Sequence, residues 1–130
     1  DNVLEHIKNI TGKGNLGSGA FADVVFECAG VPTTIKQSLK SARHGGKIVS
    51  IALFEEELTL NPSTLVAKEI KWLGSFGYYA HEFKTALNLV KTKKINLIDM
   101  VTDIYSLEEV NEAFARQMDS DNSVKVCFKC

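Results

Sequence analysis

Three short apolar runs set the terms for this chain: ADVVFECA at residues 22–29, KIVSIALF at 47–54 and IKWLGSF at 70–76. Each is rich in β-branched or aromatic residues and bounded by turn formers, the pattern of strands covered on both faces. Segments of helical period lie between them. After the first run, Ile35, Leu39 and Ala42 fall on one stripe, and His44-Gly45-Gly46 closes the helix in the manner of a glycine C-cap. After the second, LTLNPSTLVAKE holds an extended piece and a helical turn, with Asn61 as N-cap and Pro62 at the first helical position. Strands alternating with helices at this rhythm predict an α/β fold built on a parallel sheet with right-handed crossovers.

The flanks fit the same scheme. Val3, Leu4, Ile7 and Ile10 recur at helical spacing, and Gly12 supplies a stop. HEFKTALNLVKTKK at 81–94 predicts a helix with Phe83, Leu87 and Val90 turned inward, and MVTDIY at 100–105 a short extended link. SLEEVNEAFARQM at 106–118 opens with Ser106 and Glu109 at capping-box spacing. The last segment, SVKVCFK at 123–129, alternates: Val124, Val126 and Phe128 share one face, Lys125, Cys127 and Lys129 the other. Such a half-exposed strand is expected in a different sheet.

Composition removes several classes of function. At 130 residues and 45% apolar content the chain has one-domain size and enough apolar surface for a core. Fifteen basic and 16 acidic residues leave a net charge of -1, no footprint for nucleic acid or an anionic membrane. No apolar run approaches the roughly 20 residues of a membrane span. The opening DNVLEHIKN is acidic and amphipathic, unlike a signal peptide, and it starts with Asp inside a helical pattern, so an upstream part is expected. Three cysteines, an odd number, favour a reducing compartment, with cytoplasm as the default.

GKGNLG at 12–17 spells G-x-G-x-x-G, yet a phosphate-cradling loop needs a strand before it and a helix after it. Here the order is inverted, and no acidic residue stands about 20 positions on to read a ribose. A surface loop is the expectation. Cys127 and Cys130 form C-x-x-C on a terminal strand, not at a helix start and without a second pair for zinc. His6, His44 and His81 share no ligand spacing.

Position is more informative than motif. In an open α/β sheet, ligands sit beyond the carboxyl ends of the strands. The three runs end in CAGVP, IALF and GSFGYY, where Ala29, Gly30, Ala52, Gly74 and Ser75 are small. Small residues there either admit a flat ring against peptide groups that bond a carboxamide, or simply permit tight turns.

Taken in order, ADVVFECAGVPTTIKQSL, GGKIVSIAL, KEIKWLGSFGYY, LEEVNEAF and SVKVCFK resemble the C-terminal part of zinc-type medium-chain alcohol dehydrogenases. The nearest branch is that of the polyol, butanediol and threonine dehydrogenases. The resemblance implies the second half of a Rossmann-like dinucleotide-binding domain over residues 1–118 and a strand, 119–130, returning to a catalytic domain. It also implies a cofactor, NAD or NADP, with zinc held only in the full-length enzyme. Glycine fingerprint, ribose-reading acid and zinc ligands would all lie upstream of Asp1.

Carried over by position, Cys28, Ala29, Gly30 and Val31 resemble the turn beside the cofactor. Ile51, Ala52 and Leu53 match the segment along the nicotinamide, and Ser75, Phe76 and Gly77 the next one. Gly77 stands where the polyol branch often carries arginine near the substrate, and Tyr78 matches a tyrosine at that pocket. Lys125 falls where an arginine often reaches the pyrophosphate, and a lysine offers charge without a bidentate fork. Residues 58–76 resemble the edge through which such enzymes pair as homodimers. The substrate implied is a small alcohol or polyol, and this piece alone is expected to be inactive. Two other readings remain: a free-standing α/β binding or oligomerisation module, and a zinc-free quinone-reductase-like oxidoreductase.

Overall fold

A computed structural model describes residues 3–12 and 22–129 and divides into two compact units, Asp1–Gly77 and Tyr78–Cys130. Beyond Gly12 the GKGNLG motif lies outside the described residues, as does Cys130.

The first unit runs α1 (Val3–Thr11), β1 (Ala22–Glu27), α2 (Pro32–Ser41), β2 (Ala42–Ser50), α3 (Ser63–Lys68) and β3 (Lys71–Gly74). Its strands form one parallel sheet in the order β1-β2-β3. Two residues of the predicted α2 stripe supply the core: Ile35 and Leu39 are buried with Ala42 and Ile48, and Ala42 belongs to β2 rather than to the helix. Val25, Phe54, Leu58, Leu60, Leu65 and Ile70 pack around them. Burial of this kind, about 2 kcal/mol for each fully buried aliphatic side chain, holds α2 to the sheet.

Covering on both faces does not hold. Val24 and Phe26 of β1 are exposed, because α2 covers only the face that carries Val25. An apolar run gives a strand's capacity to be covered; what covers it lies elsewhere in the chain.

A second correction concerns Gly45-Gly46. Helix α2 already ends at Ser41, and Ala42 is extended, with φ -68° and ψ 138°. The glycines sit inside β2, in an irregularity where the register jumps from Ala22–Ala42 to Val24–Lys47. Gly45 has φ +67°, and a side chain on Gly46 would come within 2.9 Å of the Arg43 carbonyl. They make a bulge, a use of glycine that sequence alone does not separate from a cap.

Lysine caps α2 instead. Lys68 Nζ, reaching from α3, donates to the carbonyl oxygens of Leu39, Lys40 and Ala42, each at 2.9 Å. A cation there complements the helix dipole and satisfies carbonyls the helix leaves unpaired. Helix α3 starts one residue later than the sequence suggests, with Pro62 rather than Asn61 at the N-cap, while Ser63 N–H donates to Asn61 Oδ1 at 3.0 Å just ahead of the first turn.

The second unit holds α4 (Ala80–Lys91), β4 (Val101–Tyr105), α5 (Val110–Gln117) and β5 (Lys125–Phe128). The MVTDIY link forms most of a strand, and β4 pairs parallel with β5 in a separate two-stranded sheet. The Ser106 N–H and hydroxyl both donate to Glu109 Oε2, at 3.0 and 2.9 Å, starting a 3₁₀ turn that leads into α5. Arg116 ties α5 to the sheet, Nε donating to Asp103 Oδ2 at 3.0 Å and Nη2 to the Asn122 carbonyl at 2.9 Å. The inward stripe of α4 is not inward here: Phe83, Leu87 and Val90 are all exposed.

Removing the lysine cap exposes how much α2 depends on it. Lys68→Met keeps the aliphatic stem but orphans three carbonyls, and is expected to cost about 1–2 kcal/mol. Urea unfolding measures this; an unchanged midpoint would mean that water caps the helix equally well.

Candidate functional site

The register of the first sheet brings the strand ends level. Glu27 pairs with Ser50, and Ser50 in turn with Gly74. The residues that follow therefore leave the sheet side by side. Main-chain bonds continue past the strands: Ile51 and Ala52 N–H donate to the Glu27 carbonyl at 2.9 and 3.4 Å, and Ser75 N–H to the Ser50 carbonyl at 2.9 Å. The rim thus carries Cys28–Val31, Ile51–Leu53 and Ser75–Gly77, all within the first unit. Trp72 Nε1 donates to Ser50 Oγ at 2.8 Å, tying the middle strand's last side chain to the edge strand.

Glycine is required at one point of this rim. Gly30 has φ +70°, and a Cβ there would lie 2.4 Å from the Leu53 carbonyl oxygen. The first and second rim segments touch backbone to backbone. By contrast, Gly74 has open space around it, and so does Gly77 despite its φ of +64°. Cys28, Ala29, Val31, Ile51, Leu53, Ser75, Phe76 and Gly77 are exposed, while Ala52 is half-buried and Gly30 buried. Phe76, at 85% exposure, is an uncovered aromatic beside two small residues.

Beneath the rim sits a carboxylate that the apolar-run reading passed over. Glu27, 2% exposed, ends β1. Its Oε1 accepts from Ala29 N–H at 3.0 Å, Gly30 N–H at 2.9 Å and the Thr34 hydroxyl at 2.6 Å. Oε2 is buried without a hydrogen-bond partner. Burial pushes this carboxyl upward, but the bonds from Thr34, Gly30 and Ala29 outweigh it and hold it below its ordinary 4.5. The signal was present in the sequence: ADVVFECA carries two charges, Asp23 and Glu27, and a charged residue buried in such a run must find partners.

Tyr78 and Lys125 belong to the second unit, where Tyr78 stacks on Phe83 with ring centroids 5.7 Å apart. Lys125 opens β5 opposite Val101, and its carbonyl accepts from the Thr102 hydroxyl at 3.2 Å. Among the described residues, no three His, Cys, Asp or Glu side chains are grouped to hold a metal ion. No described helix is long and apolar enough to cross a membrane.

Comparison with known proteins identifies a family. The zinc-binding dehydrogenase family matches residues 1–92. D-xylulose reductase of Saccharomyces cerevisiae is 32% identical over 93 residues, 72% of this chain and 26% of that protein. 2R,3R-butanediol dehydrogenase from Bacillus subtilis superposes with a TM-score of 0.79 at 27% identity, over 100% of this chain and 35% of that one. A Sinorhizobium meliloti structure bound to NADP gives a TM-score of 0.71 at 29% identity, over 94% of this chain and 35% of its own. The chain thus spans about a quarter to a third of the length of these relatives.

Two measurements follow from the rim. Gly30→Ala forces both a left-handed φ and a backbone clash and is expected to destabilise by about 1–3 kcal/mol, whereas Gly74→Ala should change stability by less than about 1 kcal/mol. Equal thermal shifts for the two would refute the close approach of Gly30 to Leu53. The lowered Glu27 pKa also fixes a pH window. Its contribution to stability is complete above 4.5 and disappears as pH falls through the lower folded value. Glu27→Gln should therefore flatten the decline in urea midpoint below that pH, and an unaltered decline would show that other carboxyls govern it.

Proposed function

The chain belongs to the zinc-binding dehydrogenase family, and from that membership we propose that it supplies the nicotinamide side of an NAD(P)-dependent alcohol or polyol dehydrogenase. The observation that carries the reading is the level rim of three parallel strand ends. Gly30 supports it further, since only a residue without Cβ lets the first segment lie flat on the second.

Residues 28–31, 51–53 and 75–77 would hold the nicotinamide end of the cofactor; for Lys125 and Tyr78, both in the second unit, family resemblance alone supports the pyrophosphate and substrate roles. The relatives' names support a small alcohol or polyol as substrate. Gly77, without a side chain, leaves polyol hydroxyls nothing to bond at that position. When bound, the cofactor takes hydride from the alcohol carbon. The chain's own residues contribute position. Peptide groups at the rim would orient a planar carboxamide, and the small side chains of Ala29, Ala52 and Ser75 would let the ring approach closely. The described residues do not fit the zinc ion that the family implies, and no step is assigned to it here. A homodimer through the 58–76 edge is part of this proposal: β3 is the outer strand of the sheet, with Trp72 and Leu73 exposed. A reducing, cytoplasmic setting agrees with Cys28 and Cys127, both free thiols.

Expressing the full-length polypeptide that carries this sequence and following NAD or NADP reduction at 340 nm with small alcohols and polyols tests the proposal. Activity is expected from that polypeptide and abolished by a zinc chelator. The 130-residue segment by itself is expected to be inactive and to bind dinucleotide no better than about millimolar. Rapid alcohol oxidation by the segment alone would overturn the assignment, and chelator-resistant activity would favour the quinone-reductase-like chemistry.

A further inference from the structure

Glu27 does more than brace a turn. Three donors converge on Oε1, from Ala29, Gly30 and Thr34, and hydrogen bonds donated to a carboxyl oxygen favour its ionised form; Oε2 is buried without a partner. The geometry therefore suits the carboxylate. Its charge is also uncompensated, since no lysine, arginine or histidine among the described residues pairs with it; the ion pairs there join Arg43 to Asp23 and Arg116 to Asp103 and Asp119. An isolated negative charge thus lies under the rim, two residues before Ala29 and bonded through its own carbonyl to Ile51 and Ala52. Buried charges are poorly screened, and their fields extend several ångströms into an adjoining site.

We propose that Glu27 is a specificity-determining residue for the redox state of the cofactor: its uncompensated carboxylate favours the cationic oxidised nicotinamide ring over the neutral reduced one. The claim rests on the cofactor reading above. Two forms of one dinucleotide differ only at the ring, in its charge and in the second hydrogen at C4, and of these two differences the charge is the one the carboxylate acts on. Hydride leaves the alcohol as the ring loses its positive charge, so a carboxylate behind the ring also hastens departure of the reduced product.

The test measures dissociation constants for the oxidised and reduced dinucleotide on the full-length polypeptide, by calorimetry and by cofactor fluorescence. Glu27→Gln keeps Oε1 as an acceptor and removes the charge. The ratio of the two constants is expected to move about three- to tenfold against the oxidised form. Glu27→Asp keeps the charge on a shorter stem and should weaken both forms together, with the ratio held. Should Glu27→Gln not fold, Thr34→Lys sets an ammonium beside the intact carboxylate and must shift the ratio in the same direction.

Equal weakening of both forms by Glu27→Gln, or no shift from Thr34→Lys in its place, overturns the proposal and leaves Glu27 as a brace only. Failure of the cofactor reading looks different: the unsubstituted polypeptide then binds neither form at millimolar concentration, and the proposal falls with it.

Discussion

Parallel pairing without slippage at the carboxyl end is the constraint on which the first unit depends. Glu27, Ser50 and Gly74 stand in one row, and the loops that follow inherit their alignment from that row. Because side chains alternate with a period of two, a slip of one residue would turn Ile48 out of the core and shift one rim segment against its neighbours. The core is small, yet it sits where it protects this register, with Ile35 and Leu39 of α2 pressed on Ile48. Bonds beyond the strands, from Ile51, Ala52 and Ser75 to the row before them, carry the alignment into the loops.

Helix α2 is held at both poles by side chains from outside it. The Glu27 carboxylate gathers the amides just before its first turn, and the Lys68 ammonium gathers the carbonyls of its last. Negative charge at the amino end and positive charge at the carboxyl end is the favourable sense for the helix dipole. Glu27 stands only two and three residues before the amides it satisfies, whereas Lys68 sits on a short helix 28 residues beyond Lys40.

Local signals made much of this legible in advance. The burial of Ile35 and Leu39, the bond from Ser63 to Asn61 ahead of α3 and the bond between Ser106 and Glu109 each depend on residues within a few positions, and each is visible in the structure. Contacts that depend on distant partners were not legible. Gly45-Gly46 has the same spelling as a cap and as a bulge; what decides between them is Lys68, which no local pattern connects to α2. Val24, Phe26, Phe83 and Leu87 had the right spacing for burial, but spacing does not supply a covering surface. Level strand ends followed from the α/β rhythm, whereas their assignment to a nicotinamide ring came from family resemblance, because small residues at a turn serve two purposes equally well. Glu27 was in plain sight as one of two charges in its strand, and nothing local separates it from Asp23, whose side chain is exposed.

The double anchoring of α2 has a consequence for the energetics of recognition. Advancing the helix by one turn, about 5.4 Å along its axis, would break the bonds at both poles at once, and smaller slides would strain them. The segment between Glu27 and Pro32 therefore has little room to rearrange. A molecule arriving there meets a surface already in shape, and the ordering entropy that weakens association with mobile loops is largely absent.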